Sequence, residues 1–383
     1  MTKIRYKLFI KRLIKILVIF FIFLAACPST ARAETSDETE YVVDGIMDFE
    51  TEEADRAAGN PYGYSIKGIA QSLISGEGIS FASVLDKVLG GFFSDIKNQV
   101  SGIRKIIILI IACGVLKSIS SSFGGKGVSD IGFYACYSVI IYIIMYLFIE
   151  EVNLVKENVS MFMKMNTAMV PVYVAVSAAS ERAISTAALS ATIMAFSSAI
   201  SGILSVVVIP VITAAAGLEM VNNMFEEDMF SSLSSFIKYI LSLGLKLLGM
   251  AFVFVISFQR LGTSGVSSFT VKAAKNAVNC VPVVGDILAS SAQTVADASS
   301  AVGNSVAAAC AIVAGILSAA PILRLTAIFL IFKLTAAITE PAGEKRITKT
   351  LNSAGDYFAI LIGAVFLSAA MFVFSAVILA ASF

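Results

Sequence analysis

AISTAALSATIMAFSSAISGILSVVVIPVITAAAGL, residues 183–218, is a run of 36 residues without a charge. An α-helix needs about 20 apolar residues to cross a bilayer, so this run is long enough for two. A tight turn near Ser197–Gly202 would divide it into a helical hairpin, with Pro210 in the second arm. Such a run cannot hide in a soluble core. The whole chain of 383 residues is 57% hydrophobic with a mean hydropathy of +0.87. Only 14% of it is charged, against roughly a quarter in soluble domains. Lipid is therefore the solvent this chain demands.

Outward from that run, other segments repeat the pattern. Ile106–Phe123, flanked by Arg104 and Lys105, and Ile131–Ile149 read as spans upstream. Between Ile149 and the long run, Glu150–Met165 reads as a charged amphipathic connector. Thr167–Ser180, broken by Pro171, reads as a re-entrant or interfacial segment. Downstream, Phe236–Phe258 is a span, Gly303–Ala319 and Ile322–Thr339 form a second hairpin around Pro321, and Tyr357–Phe383 closes the set. The sequence thus predicts an all-α polytopic bundle of about eight spans, with six to nine compatible with the pattern, occupying residues 104–383.

The N-terminus divides differently. Lys3 to Lys15 is a basic region, and Ile16–Ala26 is an apolar core too short to span. Ala31 and Ala33 supply the small residues of a signal-peptidase site, predicting cleavage before Glu34 and a signal peptide over 1–33. Leu24-Ala25-Ala26-Cys27 has the form of a lipobox, the alternative to ordinary cleavage. Residues 34–103 follow as an extracytoplasmic segment, an acidic tether and then amphipathic helices. With that start outside, an eight-span count places Gln259–Ser300 and Glu340–Gly355 inside and the acidic turn Glu226-Glu227-Asp228 outside.

Composition also bounds the chemistry. The chain has no His, which excludes His-based triads and His-ligated metals. No pair of its five cysteines has Cys-x-x-Cys spacing. A net charge of +1 gives no electrostatic basis for nucleic-acid binding. No acidic residue reads as lying at mid-span, which counts against a carboxylate proton relay. Neither an enzyme nor a cofactor site is expected.

The residues singled out are of three kinds. Small residues at spacing four form two ladders, Ala183, Ala187, Ala191, Ala195 and Ala199, and Gly303, Ala307, Ala311, Gly315 and Ala319. In lipid such faces let backbones approach closely, inside the monomer, around a pore or between subunits of a homo-oligomer. Arg324 and Lys333 are the candidate intramembrane charges. Pro282 and Gly285, followed by Asp286, form a turn, either an ordinary loop or a broken helix lining a cavity.

That turn sits in Val281-Pro282-Val283-Val284-Gly285-Asp286, preceded by Thr270-Val271-Lys272. With Val170-Pro171, Pro210 before Val221-Asn222, Ala320-Pro321-Ile322 and Thr339-Glu340-Pro341-Ala342-Gly343 in that order, the chain resembles the stage III sporulation protein AE family. Phe269 stands where that family commonly has a basic residue. The resemblance implies a multi-pass protein of the mother-cell membrane facing the forespore. Its partners would be the lipid bilayer, the other stage III sporulation A-operon proteins and, directly or indirectly, stage II sporulation protein Q. Together they would form a secretion-like channel complex that sustains the forespore and its late transcription. A stand-alone secondary transporter or exporter of a small molecule is the alternative.

Overall fold

A computed structural model describes residues 126–178, 183–225, 230–261, 305–340 and 345–380, with Arg56, Gly90, Ile108 and residues 110–112 besides. Every described element is helical. They are α1 (Lys126–Ala178), α2 (Ala183–Ile203), a π-turn (Leu204–Val208), α3 (Ile209–Asn222), α4 (Ser231–Leu261), α5 (Ser305–Thr339) and α6 (Lys345–Ala380).

The uncharged run 183–218 is one rod. No turn forms at Ser197–Gly202; α2 passes through the π-turn directly into α3. A proline ring in an ordinary helix strikes the carbonyl four residues before it, which for Pro210 is that of Val206. The π-turn widens the helix at that carbonyl, and the Ile209 N–H donates to Leu204 O, five residues back. The helix absorbs the proline and continues.

Pro321 is absorbed likewise inside α5. Its ring deprives the Leu317 carbonyl of a donor, while the neighbouring Ser318 Oγ donates to Ala314 O at 2.6 Å and Gly315 O at 3.2 Å. Neither expected hairpin exists. Glu150–Met165 and 167–178 are also not a connector and a re-entrant segment, because α1 runs through both for 53 residues. An apolar stripe at helical spacing carries it past Glu150: Phe148, Val152, Val155, Val159, Phe162, Met165 and Met169 are all buried.

Five helices among the described residues are long and apolar enough to cross a membrane: Ile131–Met169, Ala191–Asn222, Ser231–Val255, Cys310–Thr339 and Lys345–Ala376. Merging the two hairpins removes two crossings from the eight expected. Ile106–Phe123 lies mostly outside the described residues, although Ile110 is buried with the core.

α5 and α6 are the centre. Of their apolar stretches 72% and 67% is buried, against 28% in α1 and 11% in α4. They pack antiparallel on each other, and α1 lies along α6. An aromatic layer joins the three: Phe148 meets Phe358 at 5.1 Å and Tyr357 at 6.5 Å between ring centres, and Phe332 meets Phe358 at 5.4 Å.

The antiparallel course also revises the orientation. The C-terminal ends of α3 and α5 and the N-terminal ends of α4 and α6 share one end of the bundle, tied by Lys238–Glu219, Lys238–Asp356 and Lys333–Asp356. Leu261 and Ser305 are at the other end. Leu261 and Thr339 are therefore at opposite ends of the bundle. Each proline-punctuated run, expected to cross twice and return, runs through as one helix.

Candidate functional site

Charge stands inside this bundle at two places. The first is near the middle of two candidate spans, 20 residues from Ile131 on α1 and 14 from Cys310 on α5. There Arg324 grips Glu151. Its Nε donates to both carboxylate oxygens at 3.0 Å, and its Nη2 donates to Oε1 at 2.7 Å. Glu151 has no exposed surface at all. Glu150 takes a longer contact from the same Nη2, at 3.4 Å, with half its side chain exposed. A forked guanidinium suits this task because it presents several donors in one plane and stays charged wherever it is buried.

The second place lies nearer the end shared by α3, α4, α5 and α6, and each of those helices contributes. Glu219, on the last turn of α3, is its hub. Oε1 accepts from Lys238 Nζ of α4 at 2.8 Å and from Ser353 Oγ of α6 at 2.6 Å, while Oε2 accepts from Tyr357 OH at 2.9 Å. Lys238 also lies 3.5 Å from Asp356 Oδ2 and 4.9 Å from the centre of the Tyr357 ring. Asp356 Oδ1 accepts from Lys333 Nζ of α5 at 2.7 Å, and Lys333 bonds the Asn352 carbonyl at 2.8 Å. Glutamate, lysine, aspartate and lysine thus alternate, so the row is neutral overall while each member has an opposite charge beside it. Lys333 reaches its place across Gly355, where a Cβ would stand 2.9 Å from Lys333 Cε.

Toward the same end, Arg346 Nη1 donates to Met224 O at 3.0 Å and its guanidinium stacks 4.6 Å from the Phe133 ring centre. Tyr137 OH bonds Thr350 Oγ1 and donates to Met220 O at 3.3 Å. These contacts hold α1, α3 and α6 together beyond the charged row.

Of the residues singled out in the sequence, Arg324 and Lys333 anchor one network each. Ala311, Gly315 and Ala319 are buried, and the face they form lies within the packed centre. Ala191, Ala195 and Ala199 are exposed, the inward face of α2 being Ile193, Ser197 and Ile200. Ala187 and Ala307 lie on α2 and α5. Ala31, Ala33, Glu34, Pro282, Gly285, Asp286 and Gly303 lie outside the described residues.

Sequence reasoning missed the carboxylates. Glu151 lies near the middle of one candidate span and Asp356 inside another, contrary to the expectation of no carboxylate at mid-span, and Glu219 lies in the last turn of its span. The readable signal was the α1 stripe, whose spacing runs through Glu151: Tyr137, Ile144, Glu151, Asn158 and Met165 recur every seventh residue and all are buried. Among the described residues no three His, Cys, Asp or Glu side chains gather to hold a metal. The arrangement clamps helices through charge.

Comparison with known proteins places this geometry. The family description "Stage III sporulation protein AE" matches residues 64–382. A relative of the same name from Bacillus subtilis (strain 168) is 25% identical over 281 residues, 73% of this chain and 70% of the relative. No solved structure matches. With the match covering the membrane helices and both charge networks, the chain belongs to the stage III sporulation protein AE family.

Proposed function

We propose that this protein is a structural or channel-forming membrane subunit of a secretion-like sporulation complex, set in the mother-cell membrane facing the forespore. The observation that supports this most directly is the charged row Glu219–Lys238–Asp356–Lys333, which ties four apolar helices at one end of the bundle. Ion pairs inside membrane helices are costly to assemble. A family whose members serve a sporulation stage, together with helices cross-braced in this way, supports a rigid platform on which other subunits assemble. The other stage III sporulation A-operon proteins, and stage II sporulation protein Q directly or at one remove, are the partners in this reading. A second copy of the chain is a further one. Maintenance of the forespore and its late transcription is the outcome served. The lack of histidine and the family's role favour assembly over catalysis.

Affinity purification of the tagged full-length protein from sporulating cells tests the proposal. Stable recovery of the sibling membrane proteins, and collapse of forespores when the gene is deleted, are expected. A protein recovered alone, with deletion leaving forespores intact, refutes it.

The Arg324–Glu151 pair near the middle of two candidate spans favours one other reading, a stand-alone transporter, since charges at that depth mark polar pathways in membrane proteins. Flux of a small solute through liposomes holding the purified protein alone would establish it; tight liposomes would dismiss it.

A further inference from the structure

Near the Glu219–Lys238 pair, the end of α3 and the start of α4 each carry a buried polar side chain with an oxygen that makes no hydrogen bond among the described residues. α3 and α4 run antiparallel, so stepping four residues outward along each from a facing pair reaches another facing pair, one turn or about 6 Å away. From Glu219 that step leads to Asn223, and from Lys238 to Ser234. Both are almost wholly buried, at 1% and 3% exposure. Asn223 Oδ1 and Ser234 Oγ each lack a hydrogen-bond partner among the described residues. The other end of the same amide is engaged: Asn223 Nδ2 donates to Ser353 Oγ at 3.4 Å, and Ser353 Oγ donates in turn to Glu219 Oε1. The amide is thus oriented, with its oxygen turned from the hydrogen-bonded side.

Buried amide and hydroxyl oxygens in native proteins find partners, and where protein supplies none, ordered water does. The chemistry of the slot selects its occupant. Asn223 Oδ1 requires a donor, and Ser234 Oγ can donate or accept. A cation there would be repelled by the Lys238 ammonium one turn inward, and an anion by Glu219 and the amide oxygen. A small neutral molecule that both donates and accepts is what remains.

We propose that the Asn223–Ser234 slot at the α3–α4 corner is a water-binding site. The bound water donates to Asn223 Oδ1 and bonds Ser234 Oγ. It thereby extends the hydrogen-bonded row Tyr357–Glu219–Ser353–Asn223 by one member toward the α3–α4 turn. The site makes hydration part of how α4, the least buried helix, is seated on the bundle.

Ser234→Ala in the full-length protein tests this, with Ser235→Ala, an exposed neighbour, as the control for helix propensity. Alanine adds no bulk and is the better helix former, so in a dry slot the change leaves the thermal midpoint in detergent unaltered or raises it. With water bound, the midpoint falls by about 2–4 °C relative to the control. No fall overturns the proposal. A map of the full-length protein that resolves ordered water provides an independent reading. A density peak within hydrogen-bond distance of both atoms is expected. Clear side-chain density with no peak, or Asn223 and Ser234 bonded directly to each other, overturns the site.

Discussion

The Arg324–Glu151 clamp and the Glu219–Lys238–Asp356–Lys333 row both place charge among apolar helices, yet they solve different problems. The clamp joins two helices, α1 and α5, through one forked cation and one wholly buried carboxylate. The row joins four helices through two point-charge cations, and its members keep some exposure, 43% for the Asp356 side chain and 22% for that of Lys238. A guanidinium fixes direction as well as distance, whereas an ammonium turns on a flexible stem and can be shared between two acceptors. The contrast teaches that the centre of the bundle is held by geometry and its end by redundancy. Removing a member should hurt most where the pair is most deeply buried.

The largest loss is expected at the clamp. Arg324→Leu takes the guanidinium away from the buried Glu151 carboxylate, and breaking a buried pair from one side costs about 3–5 kcal/mol. Thermal unfolding in detergent should show this as a large fall in midpoint, with Arg324→Lys restoring only part of it because the fork is gone. Replacing both partners, Arg324→Leu with Glu151→Leu, should recover much of the stability, since an apolar pair leaves no charge unpaired. If the double variant is no better than the single one, the pair does more than balance charge.

A smaller effect is expected in the row. Glu219→Gln keeps the side chain's shape and an oxygen to accept from Ser353 or Tyr357, but it removes the charge facing Lys238. Lys238 retains Asp356 at 3.5 Å, so the loss should be about 1.5–3 kcal/mol, the range for a hydrogen bond to a charged group. A cost equal to that of Arg324→Leu would erase the distinction between the two regions.

How each region reads in the sequence follows the same division. Membrane helices are legible because a bilayer demands long apolar runs, and residues 183–218 state this without ambiguity. Arg324 and Lys333 are legible because a lone cation inside such a run has no soluble explanation. Their partners are not, since Glu151 follows Ile149 and Glu150, Glu219 follows Leu218, and Asp356 precedes Tyr357. Each carboxylate stands at the edge of an apolar run, where hydropathy reads a helix end. Only antiparallel packing, with helices continuing past those edges, turns the edges of four runs into one interior. Pro210 and Pro321 misled for a related reason: proline is a breaker in water, but a helix surrounded by others continues through it, at Pro210 by way of a π-turn. The α1 stripe through Glu151 was present all along, and its seven-residue spacing argued for one helix where the charges argued for an end.

The finest test of the comparison is Gly355→Ala, which removes no charge. The added Cβ meets Lys333 Cε at 2.9 Å, with Cδ at 3.3 Å and Cγ at 3.4 Å, so the lysine stem must lift. Alanine favours the helix over glycine by about 1 kcal/mol, and that gain opposes the weakened Lys333–Asp356 contact. A row held by redundancy lets the flexible stem find a second path to Asp356, so the net change should stay within about 1 kcal/mol in either direction. A loss approaching that of Glu219→Gln would mean that Lys333 has no alternative route. The row would then be as geometrically exact as the clamp, with Gly355 the residue that sets its fit.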